Sequence, residues 1–179
     1  MALLAEEIVE EWLNRTGFFT IRGLKVGVHE IDLLAIRPQA QGLVCRQIEV
    51  QASVRPISYI TRVPRAVQKA TGRAAASAKA RSEDELHQGI AEWIAKKFDL
   101  PEKRRLRERL VPGATWSREL VLHRYKYVRE VEILAERGIV IHELNTIVQQ
   151  ISNDPLMLEG AAGTHLVDLV AMTAATLEN

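Results

Sequence analysis

Two carboxylates, Asp32 and Glu49, sit inside apolar runs rich in Ile, Val and Leu, HEIDLLAIRP and LVCRQIEVQAS. Such runs read as strands. Strand alternation puts Glu30, Asp32, Leu34 and Ile36 on one face of the first. It puts Cys45, Gln47, Glu49, Gln51 and Ser53 on one face of the second. If the two strands pair antiparallel through the polar link at 37–42, Asp32 and Glu49 lie side by side. Two neighbouring buried carboxylates repel each other and lose solvation, a cost that a cation such as Mg²⁺ between them would remove. Either acid alone would read as solvated or paired with Arg or Lys, because charged residues usually stay at the surface. The pair is the stronger signal.

The flanking residues extend the pattern: AEEIVEEWLNRTGFF, then HEIDLLAIRP, then RQIEVQAS. This order resembles the PD-(D/E)XK nuclease superfamily, a group with the restriction-endonuclease-like fold that includes Holliday-junction resolvases, Mrr-like enzymes and the YraN-like family. The likeness covers roughly the first third of the chain. It implies Asp32 as central metal ligand, Glu49 as the second, and Glu6 in the first helix as a supporting acid. With the backbone carbonyl of Val50, the two acids would hold Mg²⁺ or Mn²⁺ for phosphodiester hydrolysis of DNA. The resemblance also implies a homodimer. One position departs from the family: Gln51 stands where it has a lysine, two residues after the second acid. Gln51 can orient water but carries no charge, so a nearby cation, Lys25, Arg46 or Lys69, would have to substitute. The alternative is a catalytically inactive module on the same fold, binding DNA or a protein partner.

The chain has 179 residues, 47% hydrophobic and 26% charged, with net charge +1. That suits one domain over 1–179 with a proper core, and net charge gives no vote for nucleic acid. The single Cys45 excludes an internal disulfide framework and a cysteine-rich zinc site, which suggests a reducing compartment. The absence of a long apolar run or a signal-peptide pattern gives the expectation of a cytoplasmic protein with no membrane partner.

Along the chain, apolar residues at helical spacing predict an amphipathic helix at 2–15, in which Glu6 also reads as part of a solvated face. Residues 18–28 predict a first strand, completing a three-strand meander with the acid-bearing pair. The loop SVRPISYITRVP follows, whose Tyr59 and Arg62 either touch a ligand or pack. An Ala-rich helix is predicted over 65–82, carrying Lys69 and Arg73. A second, over 83–98, opens on a Ser82-x-x-Glu85 capping box and sets Leu86, Ile90, Trp93, Ile94 and Lys97 at helical intervals. The most basic stretch, 101–110, holds Lys103, Arg104, Arg105 and Arg107. It reads either as a phosphate-binding surface, together with Lys69 and Arg73, or as a solvated helix face paired with Glu102 and Glu108.

The last third alternates strand 116–125, helix 128–137, strand 139–144 and helix 145–151, then a loop at 153–163 and a closing helix at 164–177. Strand, helix, strand at this spacing is a crossover unit with parallel strands. The predicted class is therefore α/β, a mixed sheet of about five strands flanked by helices, with a helical, basic insertion at about 64–111. Other chemistry is unsupported: His142-Glu143 lacks a second zinc-binding His, Ser117 lacks a G-x-S-x-G setting, and EGAAGTH lacks the Lys-Ser/Thr of a phosphate loop.

Overall fold

The computed structural model describes residues 2–153. Helix α1 (Ala2–Arg15) buries Val9 and Leu13. It stops where the Thr16 hydroxyl donates to the Trp12 and Leu13 carbonyls, which removes acceptors from a further turn. Strands β1 (Phe19–Val26), β2 (His29–Gln39) and β3 (Gly42–Gln51) form an antiparallel meander. After helices α2 (Arg65–Thr71), α3 (Glu83–Lys97) and α4 (Pro101–Leu110), β4 (Trp116–Leu122) returns parallel to β3. Helix α5 (Val128–Glu136) then crosses over to β5 (Ile139–Glu143), parallel to β4, and α6 (Leu144–Asn153) follows. The order β1-β2-β3-β4-β5 makes a five-stranded mixed sheet flanked by helices.

Alternation along the strands splits the core in two. Leu33, Ala35, Ile48, Val50 and Val121 pack under α1 and α6, which are joined by the Trp12 indole donating to Gln150 at 2.9 Å. Leu120, Leu122 and Ile139 pack under α3 and α5 with Ile90, Phe98, Ile133 and Leu134. Asp32 and Glu49, one residue out of phase with Leu33 and Ile48, both fall on the α3 side.

Several boundaries differ from the sequence expectation. The Ala-rich helix expected over 65–82 ends at Thr71, because Gly72 takes the left-handed conformation (φ 69°) and closes the helix by donating to the Gln68 carbonyl. Beyond it, tertiary bonds replace helical ones: Arg73 pairs with Glu85 at 2.8 Å, and the Val63 amide donates to the Ala75 carbonyl. The strand expected over 116–125 ends at Leu122, and the helix expected over 145–151 runs from Leu144 to Asn153. The capping box at Ser82 and Glu85 forms as expected. Most of the loop expected at 153–163, and all of the helix at 164–177, lie outside the described residues. No described helix is long and apolar enough to cross a membrane.

The loop between β3 and α2 is seated by buried Glu130 of α5, which accepts from the Ile60 amide (2.7 Å), the Thr61 amide (3.0 Å) and the Thr61 hydroxyl (2.6 Å). It rests on α3 at Gly89, where an added Cβ would lie 2.9 Å from the Arg62 carbonyl oxygen and 3.1 Å from the Thr61 hydroxyl. Gly89→Val should therefore lower stability by about 2 kcal/mol through overpacking, read as a reduced urea midpoint with unchanged far-ultraviolet dichroism. An unaltered midpoint would mean that the loop does not press on α3.

Candidate active site

The β2–β3 ladder runs from Gln39 opposite Gly42 to Leu33 opposite Ile48. One residue further the strands are held differently: the Val50 amide donates to Asp32 Oδ2 at 2.9 Å, so a side chain occupies the place of a main-chain acceptor. Continuing the register by one residue sets Asp32 across from Glu49, on the same face. Meanwhile β3 stays paired with β4 through Glu49, Val50 and Gln51. The two acids thus mark the end of the β2–β3 pairing.

Glu49 is 1% exposed, and two ammonium groups reach it. Lys97 Nζ lies 2.5 Å from Oε2 and Lys103 Nζ 3.5 Å from Oε1. Lys97 is the last residue of α3, and its carbonyl is one of those left free at a helix end. Lys103 Nζ, from the first turn of α4, donates to that carbonyl at 2.9 Å and to the Glu30 carbonyl at 2.6 Å. Buried Gln47, on the same face as Glu49, donates to the Lys97 carbonyl at 2.9 Å and faces Glu49 Oε1 at 3.4 Å. Arg107 of α4 closes the set by donating to Gln47 Oε1 and, at 2.9 Å, to the Phe98 carbonyl. The α3–α4 turn is thereby fastened to the acid-bearing strands by polar groups at every step.

Burial pushes the Glu49 carboxyl up to about 7, and Asp32 beside it adds to the rise, against the pull of Lys97 and Lys103. Glu6 is raised as well, first by its own burial and then by Asp32 and Glu30. For Lys97 burial acts downward, but Glu49 and Asp32 outweigh it and leave the ammonium raised. Lys103 is lowered, chiefly by burial. Four acids, Glu6, Glu30, Asp32 and Glu49, thus share their surroundings with Lys97 and Lys103, and with Arg22, which pulls Glu6 down.

The structure brings three of the residues expected from sequence together: Asp32, Glu49 and, through its field, Glu6. Gln51 does not join them; its amide donates to the Ile60 carbonyl at 3.3 Å and holds the loop. Of Val50, the amide is what engages Asp32. None of the three expected substitute cations bonds to Asp32 or Glu49, although Lys25 lies across from Glu30 in the β1–β2 ladder. Lys25 and Lys69 are exposed on β1 and α2, and Arg46 lies on the α1 face, paired with Glu119. The expected phosphate-binding set is also revised. Lys103 is 1% exposed, Arg107 is bound to Gln47, and Arg73 to Glu85, so none of the three is presented to solvent as a free charge. Arg104 and Arg105 are exposed, 3.6 Å from Asp99 and 3.8 Å from Glu102. Lys97 and Gln47 were missed as site residues. The signal for Lys97 was its place on the buried α3 stripe, seven residues after Ile90 and three after Ile94, where a charge needs a buried partner.

Among the described residues, no group of three or more His, Cys, Asp or Glu is placed to hold a metal ion. Mg²⁺ commonly keeps several waters and takes only one or two carboxylates. Asp32 and Glu49 match that demand in donor type and number, with both Glu49 oxygens here engaged by lysines.

No protein-family model and no curated protein matches the chain. Among solved structures it is similar to the crystal structure of a protein of unknown function, AF1548, at 14% identity and a TM-score of 0.49. The similarity covers 84% of this chain and 66% of that one, just under two thirds of the neighbour's length.

An acid whose folded value is about 7 against an ordinary 4.5 keeps its proton in the folded chain where the unfolded chain has lost it. Stability is then full below 4.5 and falls as pH rises towards 7, by up to about 3 kcal/mol. Glu119, lowered to about 2, acts only on acidification and stays out of this window. Urea unfolding at about pH 5 and about pH 8 should show the fall in the wild type and a flatter profile in Glu49→Gln. The substitution also changes the atoms that Lys97 and Lys103 reach, so the comparison is of slopes and not of absolute stability. Equal slopes would remove Glu49 as the cause.

Proposed function

We propose that the protein is a metal-dependent nuclease of the PD-(D/E)XK kind acting on DNA, with Asp32 and Glu49 as the ligands of Mg²⁺ or Mn²⁺. Lys97 takes the part of the absent strand lysine. The observation that carries this is the approach of Lys97 Nζ to 2.5 Å from Glu49 Oε2, on the sheet face that also holds Asp32. The element order, one helix, three antiparallel strands, helices, a parallel strand, a helix and a strand, supports a restriction-endonuclease-like core.

Each residue then has a part that follows from its contacts. Asp32 is oriented by the Val50 amide. Glu49, raised to about 7 chiefly by burial, would hold the ion together with Asp32, and its binding would favour the charged carboxylate. When bound, the ion lowers the pKa of a coordinated water and offsets charge on the phosphate. Lys97, with its side chain 33% exposed, can reach a bound phosphodiester, whereas Lys103 at 1% cannot. Lys103, Gln47 and Arg107 hold the Lys97–Glu49 pair in position. The second reading, a non-catalytic module binding DNA or a protein, is favoured by Gln51 and by the engagement of both Glu49 oxygens with lysines.

Single-stranded, duplex and branched DNA incubated with the protein in Mg²⁺ or Mn²⁺ separates the two. Cleavage should vanish in Asp32→Ala and Glu49→Ala, slow by about a hundredfold in Lys97→Met, and persist in Gln51→Ala. Cleavage that survives both acid substitutions is contamination and removes the nuclease. Binding by the wild type with no cleavage in either metal favours the module.

A further inference from the structure

The charge of the chain is segregated along its length. Between Glu49 and Glu83 there is no Asp or Glu and there are seven Arg or Lys, although the whole chain carries only +1. A second acid-free run, 120–129, carries Arg124, Lys126 and Arg129. The fold brings the two runs together where β3 and β4 end. Ile57 bridges to Tyr125, with the Ile57 amide donating to the Arg124 carbonyl and the Lys126 amide to the Ile57 carbonyl, both at 2.9 Å.

The basic side chains at this rim divide into two groups. Arg73, Arg81 and Arg129 are spent on Glu85, Glu130 and the Glu83–Glu132–Glu136 cluster. Arg55, Arg62, Arg124 and Lys126 are exposed, and their side chains form no ion pair or hydrogen bond with the described residues. Beside them stands an aromatic column. The Arg81 guanidinium lies 3.8 Å from the Tyr59 ring centre, and Tyr59 stacks on Tyr127 at 4.3 Å and 12°. Arg81 and Glu130 fix the inner end of the column, while Tyr127 at its outer end is 39% exposed.

We propose that these two loops form a binding surface for single-stranded nucleic acid, with Arg55, Arg62, Arg124 and Lys126 on phosphates and the Tyr127 ring stacking a base. Exposed cations free of ion pairs are what a polyanion requires, and an exposed ring backed by Tyr59 offers a π-face that every base can use but that a closed duplex does not present. The surface starts within a few residues of Glu49 along β3, yet binding there does not depend on the acid pair being catalytic. The α4 run is the weaker candidate, since Lys103 and Arg107 are consumed internally.

The test is fluorescence anisotropy in EDTA with a labelled oligo-dT of about thirty nucleotides and a duplex of similar length. Working without divalent ions separates binding from hydrolysis, so a protein that binds here but never cuts sinks the nuclease and leaves this surface standing. The wild type should prefer the single strand. Substituting Arg55, Arg62, Arg124 and Lys126 together with Ala should weaken binding more than tenfold and reduce the salt slope by about 0.7 for each phosphate no longer neutralised. Tyr127→Leu should weaken the single strand about tenfold and spare the duplex, with Tyr127→Phe near wild type. Arg104→Ala/Arg105→Ala should bind as wild type. Undiminished binding in the loop variant, an equally large drop in the α4 variant, or equal affinity for the duplex would each overturn the proposal.

Discussion

A carboxylate buried in the middle of a sheet must be matched by positive charge or keep its proton, and Glu49 does some of each. Its partners come from outside the sheet, at the junction of two helices. Because Lys97 ends α3 and Lys103 begins α4, both ammonium groups can converge only if the turn between the helices sits against the strands at Glu30, Gln47 and Glu49. Breaking any one of these contacts would strand a buried polar group, at about 1–3 kcal/mol or more for a charge. Polar contacts therefore fix the α3–α4 turn against the strands, while α3 itself packs through Leu86, Ile90 and Ile94 on its own apolar cluster, as α1 and α6 do on theirs.

Two other buried acids show what a satisfied carboxylate looks like in this fold. Glu119 receives Arg46, His142 and Ser117 and is held down at about 2, below the usual carboxylate range. Glu130 accepts two backbone amides and a hydroxyl, with Arg81 at 3.9 Å. Both are structural ties, between strands in one case and between a loop and a helix in the other. Glu49 has two lysines and still rises to about 7, chiefly because its burial is nearly complete and further because Asp32 lies beside it. Unlike Glu119 on β4 and Glu130 on α5, Glu49 is therefore a buried acid whose partners do not fully offset its burial.

The sheet and its acid pair were legible because strand alternation is a strict period of two: Asp32 and Glu49, expected on one face, do share it, and the crossover from β4 to β5 follows from element spacing alone. The 65–82 segment was not legible, because Ala-rich composition reports local propensity, while Gly72 and the contacts of Arg73 and Val63 are tertiary facts. The basic stretch of α4 misled for a related reason. Sequence shows how many charges a helix carries but not which face it buries, and Lys103 and Arg107 point inwards. The acid-free run after Glu49 was visible throughout, but total charge, near zero, concealed it.

A lysine two residues after an acid on a strand points to the same face as that acid, which makes such a pair easy to find in a sequence. The same juxtaposition reached from the end of a helix leaves no short spacing behind: Glu49 and Lys97 are 48 residues apart and meet at 2.5 Å. An ammonium can thus be brought beside a buried carboxylate from a helix terminus as well as from a strand neighbour. Gln51 instead ties β3 to the loop that carries Arg55 and Arg62. With Gln51 turned to the loop, the positive charge beside Glu49 comes from Lys97 at the end of α3 and Lys103 in the first turn of α4.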